Sequence, residues 1–418
     1  MKGFKLLFIE LKKICNVKRT VIVIALLFAS FYMFSPIKKI NKNYDYAIGN
    51  YKSLINMLNE QIYHIQDNSV ISAEQSRAVM FMQKEIEFDK RIIKTIEEEN
   101  WKYYNQIKIE IADYGGQISQ NMKTRWGAFL NYESDRDYLN YYLEHNIPVD
   151  DYGSAADSLM TLFYGVVPMA LYIIVLVFGS LSLSREYETG SIKTTFTQPY
   201  SPFKIMLVKV TAIVIYSVFL VAVSLLIYYL ISGFTNWFGR FDMPVFVRNR
   251  RLFRPSDFLT DGNLTMISLG GYLILLSVMY ILLAFLIALV QVLFSFIFKK
   301  SIVALGLGVI NVFGIPLIFL LSRNFVFLNK IAGYYPFSYR FISYYLYNSR
   351  INSFFKIVFS SDLNYLGLQQ YDGIYGNWSV CSFAQNINYT NGILSILVFI
   401  ILISLLLYFL SKRKELLK

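Results

Sequence analysis

The chain offers few side chains suited to covalent or metal chemistry. It holds two histidines, His64 and His145, and two cysteines, Cys15 and Cys381. Two cysteines build neither a disulfide scaffold nor a thiolate zinc site, and two histidines fall short of a histidine-rich metal centre. No G-x-x-x-x-G-K-[ST] occurs, so the chain does not bind ATP through a P-loop of its own. The informative stretch is polar and short: Ser184-Arg185-Glu186-Tyr187-Glu188-Thr189-Gly190-Ser191-Ile192-Lys193-Thr194-Thr195-Phe196-Thr197-Gln198-Pro199-Tyr200-Ser201. It opens with acids, turns at Gly190 and stops at Pro199. Ser191 is placed to cap a short helix, and Pro199 to end it. Phe196 would be an apolar knob on that helix, with acids at one end and Lys204 and Lys209 beyond the other.

The elements around this stretch are those of a membrane protein. Of 418 residues, 55% are hydrophobic and only 16% are charged, with 40 basic against 28 acidic groups. A soluble globular chain carries about 25% charged residues. A single soluble domain is therefore excluded, and 35 Phe with 33 Tyr exclude disorder. The basic balance raises nucleic-acid binding, but the positions of the charges point to a membrane. Six apolar stretches are read as spans: 20–37, 158–183, 205–234, 266–298, 301–322 and 392–411. Lys18, Arg19, Lys38 and Lys39 flank the first, which lacks a small-residue cleavage site and reads as a span rather than a leader. The fourth is long enough to predict tilt or an interfacial end.

Lys and Arg bias sets the predicted orientation. With both termini in the cytoplasm, residues 1–19, the loop 184–204 extended to Lys209, Lys299 with Lys300, and the tail 412–418 place 16 positive charges inside. The acids on that side are Glu10, Glu186, Glu188 and Glu415. Residues 38–157 hold 14 basic and 19 acidic residues and are read as an outer helical domain, a hairpin or small bundle. Within it a long helix is predicted over 72–114, ended by Gly115-Gly116. Such a domain either touches substrate, partner or cell wall, or is a spacer. Residues 3–15 read as an amphipathic interfacial helix, with Phe4, Leu7, Phe8, Leu11, Ile14 and Cys15 on one side. Residues 323–391 are aromatic-rich and are predicted to be interfacial or re-entrant.

Apart from Lys209, at the edge of the third span, no Asp, Glu, Lys, Arg or His lies in the spans. Ion-coupled transporters and proton pumps keep ionisable groups at membrane depth. Energy for any uphill movement must therefore arrive from elsewhere.

The inner stretch resembles the ABC-2 type transporter permeases, the membrane subunits of type-2 ABC exporters. Their pattern runs roughly E-x-x-x-G-[ST]-x-x-x-L-x-x-x-P-x-[ST]-[RK], followed by a lysine entering the next span. Glu186, Gly190, Ser191, Pro199, Ser201 and Lys209 match it. Thr194, Thr195 and Phe196 replace the leucine-rich helix, and Pro202 and Phe203 precede a late Lys204. A weaker echo is Pro336-Phe337-Ser338-Tyr339 after the fifth span. An enlarged outer domain after the first span occurs in one branch of the family. The resemblance implies a coupling helix, with Arg185, Glu186, Glu188, Gly190, Ser191, Lys193, Phe196 and Pro199 docking on a separate ATP-binding subunit. ATP and Mg would sit in that partner, with no cofactor in this chain, and a second permease chain would complete the assembly.

Smaller signals stay open at this level. Gln291 and Asn311 either bond across helices, an effect of around 0.6 kcal/mol each, or line a translocation path. Gly306, Gly308 and Gly314 allow close helix approach, within the chain or at a dimer seam. Arg248, Arg250, Arg251 and Arg254, in the 235–265 loop on the outer side, run against the charge rule. They either capture an anionic headgroup or peptide carboxylate or form a solvated loop.

The expectation is an all-α integral membrane protein with six transmembrane helices and a helical extracellular domain between the first and second. It would be a permease in a bacterial plasma membrane, in contact with lipid and not with nucleic acid. The expected cargo is an amphipathic substrate: an antimicrobial peptide, drug or lipid-like molecule. The alternatives are a membrane sensor whose outer domain binds a ligand, and a membrane-embedded enzyme, for which no polar catalytic cluster is visible.

Overall fold

The computed structural model describes residues 2–35, 45–67, 72–98, 100, 102–111, 140–141, 143–144, 154–197, 199–248, 264–321, 331, 334–339 and 389–412. The chain divides into two compact units, Met1–Lys38 with Ser154–Lys418, and Lys39–Gly153.

The first unit opens with α1 (Lys2–Ile14) and α2 (Val17–Phe34), separated by Asn16, whose Oδ1 accepts from Lys18 N at 3.1 Å. That cap starts the first span three residues before the apolar run itself begins. The second span is α6 (Ala155–Glu188), numbered after the three helices of the other unit. Ser154 caps it through Asp157 N at 3.1 Å. At 34 residues it is about 50 Å long by helical rise, well beyond a hydrocarbon core of about 30 Å. Residues 184–188, expected in a loop, therefore continue the helix. A short helix, α7 (Ile192–Phe196), follows, then α8 (Pro202–Thr235), where Ser201 caps and Pro202 takes the first position.

Two strands precede the fourth span. β1 (Pro244–Arg248) and β2 (Leu264–Ser268) pair antiparallel, with Val245 opposite Ile267. The helix α9 (Leu269–Phe298) starts only where Ser268 Oγ accepts from Gly271 N at 3.2 Å. The fourth span thus loses its predicted first residues, Met266 to Ser268, to a strand and a cap. The fifth span is broken into α10 (Ser301–Val309), a π-turn (Ile310–Gly314) and α11 (Ile315–Leu321). Pro316 explains the break. It has no N–H to give to Val312, and its ring crowds that carbonyl, so the ladder widens and Ile315 N–H bonds back to Ile310 O. The last span is α12 (Tyr389–Ser411).

Among the described residues six helical segments, the fifth counted through its π-turn as Ser301–Ile318, are long and apolar enough to cross a membrane. The fold is all-α but for the strand pair, and α9 is its centre. It packs against α6, α8, α10 and α12, and α6 packs in turn on α8 and α10. Tyr272, Tyr280, Leu283, Leu286 and Phe296 of α9 are buried, as are Tyr172 and Val175 of α6. Leu26 on α2 and Leu394, Ile401, Leu402 and Phe409 on α12 are exposed, the apolar outward face that lipid requires.

The second unit contains α3 (Asp45–Gln66), α4 (Ala73–Glu97) and a helix over 102–111, α5. Ile55, Leu58 and Ile62 of α3 pack with Val79, Ile86 and Ile93 of α4, and Phe88, Ile92 and Ile96 pack with Ile107 of α5. A capping box starts α4, with Gln75 N donating to Ser72 Oγ at 3.1 Å and Ser72 N to Gln75 Oε1 at 2.8 Å. The single helix expected over 72–114 stops at Glu97. Three consecutive glutamates at its end oppose the helix dipole, and Asn100 Oδ1 accepts from Tyr103 N at 3.2 Å to start α5. Arg91 grips Glu110 through both terminal nitrogens, at 2.7 and 3.2 Å.

One carboxyl pair in this unit is placed against its charge. Asp89 is 5% exposed and its Oδ2 has no hydrogen-bond partner. Lys108 faces it but donates to Tyr51 Oη at 3.2 Å. Burial pushes Asp89 up to about 6 against the pull of Lys108. Burial, then the Asp89 charge, pushes Glu85 up to about 7. Both folded values lie above the ordinary 3.8 and 4.5, so the folded unit holds protons that the unfolded chain releases. The stability these groups contribute is full below those ordinary values and falls as pH climbs to about 7. Hydrogen exchange of α4 amides in the full-length protein, corrected for intrinsic rates, is expected to show more protection at mildly acidic than at alkaline pH. Asp89→Asn should flatten that difference, and equal protection in the unsubstituted chain would contradict the assignment.

Candidate functional site

The site grows from one charge that cannot reach water. Lys209 lies two turns into α8, about 10 Å from its start, and is 3% exposed. Its Nζ donates to Glu186 Oε1 at 2.7 Å and to Glu10 Oε2 at 2.9 Å. Lys13 Nζ donates to Glu10 Oε1 at 2.7 Å and lies 3.6 Å from Glu186 Oε1. Two carboxylates and two ammonium groups balance. The cluster joins α1, the end of α6 and the start of α8. Burial alone would raise the Glu10 carboxyl, but Lys209 and Lys13 outweigh it and hold it below the usual carboxylate range. The same pairs outweigh burial at Lys13 and raise its ammonium.

Glu10 was read from sequence only as an acid on the inner side. It is 3% exposed, beside Leu6 at 2%, while Phe4 and Phe8 of the expected apolar face are exposed. The amphipathic helix thus turns Leu6 and Glu10 inward and offers its phenylalanines outward. The available signal was Lys209 itself: a lysine inside an apolar helix needs a carboxylate, and the acids near it are few.

The chain leaves α6 through a turn that glycine permits. Thr189 caps the helix by donating its N–H to Arg185 O at 2.9 Å, and Gly190 follows at φ +72°. Ser191 stands at the start of α7 but makes no side-chain cap. Its Oγ lies 3.0 Å from Thr189 Oγ1 instead. The expected cap is therefore absent, because Ser191 is itself in a helical conformation. α7 is anchored by buried Ile192 and Thr195, with Phe196 half-buried, while Lys193, Thr194, Thr197 and Pro199 are exposed. Arg185 and Glu188 are also exposed, and Glu188 has a structural task. Its Oε1 accepts from Ser301 N and Ser301 Oγ, both at 2.8 Å, capping the fifth span. Next to it, Lys299, at φ 57°, places Nζ 5.1 Å from the Tyr187 ring centroid.

Of the eight residues expected to couple, Glu186 is half-buried against α8, and Glu188 is exposed but bonded to the start of α10. Lys193, Pro199 and Arg185 face outward. Gln291 lies at the α6–α10 seam and makes no hydrogen bond, whereas Asn311 takes the Tyr335 hydroxyl on its backbone O at 2.8 Å and on its Oδ1. That contact brings Asn311 to the Pro336-Phe337-Ser338-Tyr339 segment, where Phe337 and Tyr339 are buried. Arg248 ends β1. Arg250, Arg251 and Arg254 lie outside the described residues, as does most of 323–391.

A multi-pass membrane protein with an ion-clamped segment joining two spans is the class that fold and site define. The family model described as ABC-2 family transporter protein matches residues 6–416, and the chain belongs to that family. It is a permease of an ABC transporter, a membrane transport component. No curated protein and no solved structure gave a match.

Removing the central charge tests the cluster. Lys209→Met leaves buried Glu10 and half-buried Glu186 with Lys13 alone to balance them and is expected to destabilise by about 3 kcal/mol, read as a lowered thermal unfolding midpoint. Adding Glu10→Gln and Glu186→Gln to it should recover most of the loss. A single Lys209→Met with unchanged midpoint would show that the clamp holds nothing.

Proposed function

We propose that this chain is the permease half of an ATP-driven exporter in a bacterial plasma membrane. In this reading both termini and the segment 184–204 lie in the cytoplasm, and the second unit lies outside. A separate ATP-binding subunit carries ATP and Mg, and two permease chains face each other. Closure of two such subunits on ATP pushes α7, and the permeases alternate between inward and outward openings. The cargo is an amphipathic molecule such as an antimicrobial peptide, a drug or a lipid-like compound.

The observation that carries this reading is the arrangement of α7. Its five residues form a knob with one side anchored by Ile192 and Thr195 and the other exposed through Lys193 and Thr194, with Thr197 exposed at the cap that follows. On either hand it is tied to moving parts. Glu186 leads to α8 and α1 through Lys209, and Glu188 leads to α10 through Ser301. A push on α7 would therefore pass through α6 to three further helices by charge-assisted bonds, which are the stronger kind. The absence of acids and bases from the spans other than Lys209, which is clamped, supports energy supplied from outside the bundle.

Docking is tested on exposed residues alone, because Glu186 and Glu188 also hold the fold. Lys193→Glu with Thr197→Arg should cut recovery of the ATP-binding subunit in co-purification by about tenfold, equivalent to about 1.4 kcal/mol. Membrane insertion and thermal midpoint should stay unchanged. Recovery at the unsubstituted level would count against α7 as the docking element.

A further inference from the structure

The fifth span closes over a polar side chain that has nothing to bond. Gln291 of α9 is wholly buried, at 0% exposure, and among the described residues neither its Oε1 nor its Nε2 has a hydrogen-bond partner. It stands between glycines of two neighbouring helices. A methyl group on Gly308 of α10 would fall 1.6 Å from Gln291 Nε2, and one on Gly179 of α6 would fall 2.6 Å from Gln291 Cβ. At Gly179 the neighbour is the Cβ of Gln291, which cannot step aside without its helix, and at Gly308 it is the amide end, so a side chain there would displace the amide from its present place. One turn along α9, Ser295 is well served, with its Oγ donating to Ser180 O at 2.8 Å and reaching Gly179 O at 3.1 Å. The seam therefore houses a hydroxyl and starves an amide.

A buried amide without partners keeps its full desolvation penalty. Methionine would fill much the same volume without it. The conformation described is thus one the Gln291 amide does not serve, and a second conformation is needed in which it does. The element able to move is α10. Its first residue, Ser301, hangs from Glu188 at the end of α6. Its far end runs into the π-turn, where Asn311 is held by Tyr335. A π-turn is a site where the helical ladder is already broken and bending is easy. Displacement of the α6–α7 turn would pull on Ser301, swing α10 about the π-turn and lift Gly308 from Gln291.

We infer that Gln291 lines the cargo path of this transporter and is uncovered when α10 swings away from α6 and α9. The inference rests on the permease reading above. A neutral amide offers one acceptor and two donors. It suits the polar groups of an uncharged or amphipathic cargo and holds no ion.

Two measurements test it. In lipid nanodiscs, Gln291→Met in the full-length chain is expected to raise the thermal unfolding midpoint by about 2 °C or more, because the closed packing loses its unpaired amide. A fall of that size would mean that the amide is satisfied there, and would overturn the inference. The second uses membranes that hold the chain with its ATP-binding subunit. The background is Cys15→Ser with Cys381→Ser, and the probe is a membrane-impermeant maleimide. Gln291→Cys should be inert without nucleotide and label about tenfold faster with ATP and orthovanadate. Lys193→Cys, carried in parallel, should be shielded by the subunit. Shielding there with unchanged labelling at Gln291→Cys overturns this inference alone. No shielding at Lys193→Cys overturns the docking reading and this inference with it.

Discussion

Everything at the α7 end of the bundle depends on holding one ammonium group out of water. An isolated lysine at the depth of Lys209 would neutralise or force the helix aside. It stays because Glu186 and Glu10 meet it at 2.7 and 2.9 Å, and because Lys13 offsets the second carboxylate. Buried ion pairs of this kind contribute little net stability against an apolar substitute, but losing one member is severe. Their value lies in specificity. All four groups pair in this placement of α1, α6 and α8, and the cluster ties down the chain just before Gly190.

From that fixed point the chain branches. Glu186 faces α8 and α1, and Glu188, two residues on, faces the first turn of α10. Residues two apart on a helix point to different sides. One rigid helix end therefore addresses two separate sets of spans. The turn beyond it needs no contact of its own, since a methyl group on Gly190 would meet nothing within 4 Å. What Gly190 supplies is backbone: a left-handed residue that reverses the chain at the end of α6.

The sequence made the spans legible because lipid demands long apolar helices, and six such runs stand out with little competition. Their ends were less legible. Caps at Asn16, Ser154, Ser201 and Ser268 shift each start by a few residues, and α6 runs on past its apolar stretch to Glu188. The strand pair escaped notice because Leu264-Thr265-Met266 reads equally well as the start of a helix. In the site, Glu186 and Gly190 were visible as a motif, but Glu10 was not. Its partner lies 199 residues away in sequence, and no local pattern encodes that distance. Glu188 belongs to the same motif, but its bonds to Ser301 cross 113 residues and no local pattern encodes them.

The fifth span shows how one residue can make such a machine adaptable. Pro316 denies Val312 its bond, and the widened turn lies at the opposite end of α10 from one held point, Ser301, and contains a second, Asn311. A straight, unbroken helix fixed at both places would transmit a push as translation along its axis. A helix broken there converts the same push into a tilt of the segment before the break. On the inference drawn above, such a tilt would part the close contact between Gly308 and the Gln291 side chain. Close packing at glycine would then set which seam parts, and the proline-driven turn where the hinge lies.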